Sequence, residues 1–440
     1  MSNLARKEPP IVNVEPVEAP PMPGTAGAVP ALPIDRETLA VMKPVPRITI
    51  HAFCEQPGTG SAIQRAGEDR RLAKTHLTVH MGGIAAAIDY YQHTATPNLI
   101  MVETRAVGAE LFSLLGALAE VCDAGTKVVV IGQANDVSLY REMMRQGVNE
   151  YLVAPLNPMG IIEAVSRLYI SPDAPPIGRT IAFMGAKGGT GSSTIAHNVG
   201  WCISTGMDED VVITDLDLPF GTAGLDFNQD PAQGIADALT APERLDDVLL
   251  DRLLVKCSER LSLFAAPAIL DRDFEMDGDS CETVLDIVRQ GVPCVVVDLP
   301  NVWAPWTKKV LLSADEIVIT ATPDLASLRN AKNMLDLTRQ LRQNDNPAHI
   351  VLNQVGMPKR PEIPVKDFSE AVGAEPTLVL PFNPGLFGTA SNNGQMVEEL
   401  DPKGKTTEGF RFLAGQLCGR ETRAPKPARS SLFSFLSRKG

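Results

Sequence analysis

Hydrophobic and polar positions along this chain fall into short apolar runs separated by longer amphipathic stretches. RITIHAF (47–53), NLIMVET (98–104), TKVVVIGQ (126–133) and NEYLVAP (149–155) have the length and β-branched content of strands. Between them, AAAIDYYQ (85–92), AELFSLLGALAEVCD (109–123) and DVSLYREMMRQG (136–147) carry helical periodicity, the last closed by Gly147. The alternation restarts at RTIAFMG (179–185) and STIAHNVGWCIS (193–204), where Ile195, Val199 and Cys202 share a helix face. VVITDLD (211–217), VPCVVVDLP (292–300), EIVITAT (316–322) and HIVLNQV (349–355) read as further strands, and 324–343 as a helix. Strands alternating with helices predict an α/β chain whose largely parallel sheets are covered on both faces.

The composition shifts divide this pattern. The chain has 440 residues, too many for one ordinary domain. Residues 1–45, rich in Pro, Ala and Glu, read as a disordered tail, 46–170 as a first α/β domain and the proline-rich 171–178 as a linker. A larger α/β domain follows over 179–418, then a basic flexible tail over 419–440. The formal charge of -13 argues against a general nucleic-acid binder. Seven scattered cysteines without a CxxC pair fit reduced thiols in the cytoplasm and give no zinc or iron–sulfur signature. The opening MSNLARKEPP lacks a signal-peptide core, and no run of about 18 apolar residues occurs, so membrane contact is expected to be peripheral.

GAKGGTGSST (185–194) sits between a strand and a helix, the context of a phosphate-binding loop. Gly185, Gly188, Gly189 and Gly191 leave the backbone N–H groups free to converge on phosphate oxygens, together with those of Thr190 and Ser192. Ser193 stands where a hydroxyl would hold Mg²⁺, with Thr194 beside it. The usual in-loop lysine is replaced by Ser192, while Lys187 comes early. This resembles the deviant Walker A motif of the MinD/ParA family. That resemblance implies ATP and Mg²⁺ as ligands and a homodimer in which Lys187 reaches the partner's nucleotide. It gives Lys187 and Asp217 catalytic roles, and Ser193, Asp217 and Asp298 metal-facing ones. Loss of the second lysine is expected to leave ATP hydrolysis slow or absent. A purely structural glycine turn is the alternative reading of the loop.

Downstream acids fall where such a site needs them. TDLDLPFG (214–221) places Asp215 and Asp217 at a strand end, and VVVDLP (295–300) ends in Asp298 like a Walker B strand. Helix or turn capping would explain the same aspartates. Asn301-Val302-Trp303 departs from the small residue and glycine usual in the family. ITATPD (319–324) is similar to the family strand ending in T-x-P, and PFNP (381–384) to a base-side loop. Asn353, in VLNQ (351–354), matches an asparagine that reads the adenine edge in relatives; an ordinary loop asparagine is the alternative.

The front domain resembles a response-regulator receiver, with GVNEYL (147–152) at the last turn and strand. It departs three times: the phosphoacceptor position is Glu103, only Glu55 follows the first strand, and Ala154-Pro155 replaces Lys-Pro. These departures imply a pseudo-receiver that binds a partner instead of taking phosphate; a small α/β domain of no regulatory ancestry is the alternative. Both halves together resemble the CpaE/TadZ family of tight-adherence (Flp) pilus assembly proteins. The resemblance implies an ATP-binding, dimerising scaffold at the cell pole, with pilus secretion components and the assembly ATPase as partners. A DNA-partitioning ATPase and a nucleotide-free hub are the competing functions, opposed by the charge with Ser192 and by the retained loop and acids. The tail from Arg420 holds six Lys/Arg against one Glu and ends SLFSFLSRKG, a loose match to an amphipathic membrane-contacting segment.

Overall fold

The computed structural model describes residues 44–169, 177–271 and 274–420. The tail readings over 1–43 and 421–440, and the linker reading over 170–176, lie outside these residues. The first sheet contains β1 (Thr49–Cys54), β2 (His76–Met81), β3 (Leu99–Glu103), β4 (Lys127–Gly132) and β5 (Glu150–Val153). Its strands are all parallel in the order β2-β1-β3-β4-β5, the flavodoxin-like doubly wound arrangement. Its helices are α1 (Pro57–Gly67), α2 (Gly83–Tyr91), α3 (Gly108–Val121), α4 (Val137–Arg145) and α5 (Pro158–Tyr169). Three elements went unread in the sequence, α1, β2 and α5. β2 is an edge strand with no fully buried residue, so its apolar alternation is faint. α1 carries three glycines, poor helix formers, and its apolar contacts come from Ala62, Ile63 and Ala66, which are buried.

The second sheet is built from β6 (Arg179–Gly185), β7 (Val211–Asp215), β8 (Val255–Lys256), β9 (Leu261–Phe264), β10 (Cys294–Leu299), β11 (Glu316–Ala321), β12 (His349–Val355) and β13 (Leu378–Pro381). The order is β13-β12-β11-β6-β10-β7-β9-β8, and only the short β8–β9 pair is antiparallel. Its helices of eight residues or more are α6 (Ser192–Gly206), α7 (Gly278–Gly291), α8 (Pro305–Ser313), α9 (Leu325–Leu341), α10 (Val365–Val372), α11 (Pro384–Asn393) and α12 (Lys405–Leu417). Alternate residues of one strand serve opposite cores. Ala182 and Met184 of β6 pack with α7, α8 and α9, whereas Ile181 and Phe183 pack with α6 and α12. Burial on both faces is why β10 reads CVVVDL with hardly a polar residue. A parallel sheet gathers its strand-to-helix loops at one end, so the loops after β6, β7, β10 and β11 converge.

At the other end of this sheet the two halves meet through charge. Arg70 donates to Asp345 and to Asp315, each at 2.9 Å. Arg71, almost fully buried, pairs with Asp345 and, at 3.0 Å, with Asp69. Arg342 reaches Asp345 at 2.9 Å, and Arg289 reaches Asp315 at 3.2 Å. Burial alone would raise the Asp345 carboxyl, but Arg70, Arg342 and Arg71 outweigh it and hold it below the ordinary carboxylate range. Asp345→Ala would leave three guanidinium groups facing one another in a buried site. A loss of about 3–5 kcal/mol in denaturant unfolding at neutral pH is expected. Because the folded carboxyl is depressed, its contribution is full above the unfolded value and declines as pH falls below about 4, so the gap to the parent narrows there. Equal midpoints at neutral pH would show that the cluster does not hold the junction.

Candidate functional site

β6 ends at Gly185 in the middle of the second sheet, with β10 and β11 on either side. The loop that follows gives up its carbonyl oxygens to neighbours. Asn301 Nδ2 donates to Gly185 O at 2.6 Å, and Asn330 Nδ2 to Ala186 O at 2.8 Å. Thr190 Oγ1 donates to Lys187 O at 3.2 Å. Gln354 Nε2 donates to Gly189 O at 3.0 Å, and Asn353 Nδ2 to Thr190 O at 2.8 Å. With the carbonyls held back, the loop and the first turn of α6 are left to offer N–H groups, which have no partner inside a helix at its start. A Cβ at Gly185 would lie 2.5 Å from Thr190 Oγ1, and one at Gly191 would lie 2.7 Å from Asn353 Nδ2. Gly191 also holds φ 83°, a conformation that starts α6 and that a side chain would strain. The predicted loop residues Gly185 through Thr194 are thus brought together, with Gly188 and Gly189 exposed at the tip and Ser193 and Thr194 half-buried in the first helical turn.

Lys187 does not extend freely. Its Nζ lies 2.9 Å from Asp324 Oδ2. Asp324 also accepts from Thr322 Oγ1 at 2.6 Å and caps α9 by accepting from Ser327 N at 3.0 Å. Its partial burial would raise the carboxyl, but Thr322, Ser327 and Lys187 bring it down to about 2. Ser192, in place of the usual lysine, has a buried Oγ with no hydrogen-bond partner among the described residues.

The acids gather on the β7–β10 side. Asp215 and Asp298 face each other as register partners, 1% and 2% exposed. Asp215 accepts from Asp217 N at 3.0 Å and Ala223 N at 3.2 Å. Burial and the neighbouring Asp298 push its carboxyl up to about 7. Asp217, half-buried, accepts from Phe220 N at 3.2 Å, and burial raises it as well. Asp298 Oδ1 has no hydrogen-bond partner among the described residues. Two adjacent buried carboxylates with an unused oxygen, at the same sheet end as the Ser193 hydroxyl in the first turn of α6, form a donor set of the hard oxygen kind that Mg²⁺ takes. Backbone N–H groups and a lysine complete a surface suited to a polyphosphate.

Sequence reasoning missed several contributors. Asn301 after β10, Asn330 on α9 and Gln354 on β12 brace the loop, and nothing local marks them. Asn353 is placed at the loop, but its amide is used by Thr190 O and by Gln354 N at 2.8 Å, so it acts here as a brace. His197 is fully buried beside Asp298; its position four residues after Ser193 was the available signal. In the first sheet, Glu103 lies at the end of β3 and is 3% exposed. It accepts from Glu55 N at 2.7 Å, Gln56 N at 2.9 Å and Thr59 Oγ1 at 2.8 Å. The carboxylate is therefore already committed to the start of α1.

No family profile matches the chain. A solved CpaE pilus assembly protein of Caulobacter crescentus is 53% identical; the match covers 29% of this chain and 98% of that one, with a TM-score of 0.29. The identity over nearly the whole of that chain, not the superposition, carries the relationship. MinD, the septum site-determining protein of Bacillus subtilis, is 22% identical over 55% of this chain and 90% of its own length. An uncharacterized ATP-binding protein of Methanocaldococcus jannaschii is 22% identical over 58% of this chain and 94% of its own. On these grounds the chain belongs to the CpaE family of pilus assembly proteins, and it is similar to MinD/ParA ATPases in the part that carries the phosphate loop.

Proposed function

We propose that this protein is an ATP-binding, dimerising scaffold for pilus assembly. The observation that carries the nucleotide part is the loop itself: its carbonyls are tied down while its N–H groups, with a Ser192 hydroxyl and an Asp298 oxygen that have no hydrogen-bond partner among the described residues, stand at one end of the sheet. When bound, ATP with Mg²⁺ supplies the triphosphate charge that this surface fits. Gly185 to Thr194 would hold the phosphates, and Ser193, Asp217 and Asp298 would face the metal. Lys187 would leave Asp324 and pair with the nucleotide of a second copy. The pilus role follows the CpaE relative. Its partners would be secretion components and the assembly ATPase, met in the cytoplasm at the cell pole beside the inner membrane. The committed Glu103 supports a front domain that binds such a partner rather than accepting phosphate. Among the described residues no helix is long and apolar enough to cross a membrane.

Titration calorimetry with ATP and Mg²⁺, joined to mass determination in solution, tests the proposal. Saturable binding with doubling of mass is the expected result; no detectable affinity would overturn it. Ser192→Lys restores a cation at the transferring phosphoryl group and should raise turnover about ten- to hundredfold. Unchanged turnover in a folded, ATP-binding variant would remove the proposed cause of slow hydrolysis. Asp324→Asn keeps the cap of α9 but removes the charge that holds Lys187. Because that pair is partly solvent-exposed, its release is worth at most about 1 kcal/mol, so ATP-linked dimers should tighten up to about fivefold. Weaker dimers would contradict the restraint assigned to Asp324.

A further inference from the structure

Resting on the nucleotide reading above, we infer that His197 is a positioning residue for the metal-facing carboxylate of Asp298, and that Asp226 fixes its ring. The imidazole is 0% exposed. Its Nδ1 lies 2.7 Å from Asp226 Oδ2, and its Nε2 lies 3.5 Å from Asp298 Oδ2. Nδ1–H donates to Asp226, which sets the orientation of the ring. Nε2 makes no hydrogen bond among the described residues; the charged group it faces, at ion-pair distance, is Asp298.

The division of Asp298 between its two oxygens is the central point. Oδ2 lies 3.5 Å from His197 Nε2, while Oδ1 has no hydrogen-bond partner among the described residues. A carboxylate held at one oxygen presents the other in a fixed direction. Groups that orient a ligand in this way typically change metal affinity by about 10–100-fold when removed. α6 makes the arrangement economical. Ser193 and His197 are four residues apart and lie on one helix face, so the element that offers the hydroxyl also supports the carboxylate. Asp226 lies in the short helix Ala223–Asp226, whose Ala223 N–H donates to Asp215. The histidine thus ties the segment after Asp217 to the β10 carboxylate.

A histidine kept only for packing is the competing explanation, since its ring lies 5.7 Å from that of Phe227. The two differ in what they do to metal dependence. ATP affinity is measured by calorimetry with Mg²⁺ and again with a chelator, for the full chain, for His197→Leu and for His197→Gln. The parent should bind more tightly with Mg²⁺. His197→Leu should lose about tenfold or more of that increment while its chelator affinity and melting temperature stay near the parent's. His197→Gln, which can still donate to Asp298, should retain most of it. Should His197→Leu fail to fold, Asp226→Asn leaves the imidazole in place, weakens its fixing and should lower the increment about threefold or more. A parent with no metal-dependent binding would overturn the nucleotide reading itself. An unchanged increment in the folded His197→Leu protein, or in Asp226→Asn where that protein does not fold, would overturn the role of His197 alone.

Discussion

A loop that offers backbone N–H groups to an anion must first satisfy its own carbonyl oxygens. This constraint organises the second sheet. The carbonyls of Gly185, Ala186, Gly189 and Thr190 are taken by Asn301, Asn330, Gln354 and Asn353, which follow or lie on β10, β11 and β12. A buried or half-buried polar backbone without partners would cost about 1–3 kcal/mol per group. The four amide side chains remove that cost and fix the loop's shape before any ligand arrives. Glycine at Gly185 and Gly191 is required by the same closeness, because the bracing atoms stand where a Cβ would be.

Charge is distributed around this loop with a purpose visible in the burial. Asp215, Asp298 and Asp226 lie on one side, and among the described residues His197 is the basic side chain packed between Asp226 and Asp298. Burial would lower the imidazole, whereas the hydrogen bond to Asp226 and the nearby Asp298 carboxylate raise it. The carboxylates prevail and raise it to about 10, which favours its cationic form. Lys187, the other nearby cation, stays at the solvent margin on Asp324. The site thus keeps one positive group fixed within the protein and another that an exposed ion pair restrains only weakly.

α9 links this end of the molecule to the junction with the first sheet. Asp324 caps its start and holds Lys187, Asn330 on its second turn braces the loop, and Arg342 at its end joins the Asp345 cluster. The cluster buries several arginines and acids whose isolated desolvation would be unfavourable. Together they remain paired and seat Arg70 and Arg71 of the first half against the second.

The central strands and the phosphate loop were legible because their signals are local. A β-branched run buried on both faces, a glycine turn and a following helix are written within neighbouring residues, and β6 and β12 match the sequence reading end to end. β2, β8, β9 and β13 were not read: β2 is an edge strand with no fully buried residue, and the other three, of four residues or fewer, are too short to leave a pattern. By itself the sequence determined which residues could make a phosphate cradle and which aspartates end strands. Only the tertiary structure decided that Asn353 braces the loop, that Lys187 rests on Asp324, and that His197 stands between Asp226 and Asp298. Those pairings arise from the order in which parallel strands assemble, and that order is set by packing between segments far apart along the chain.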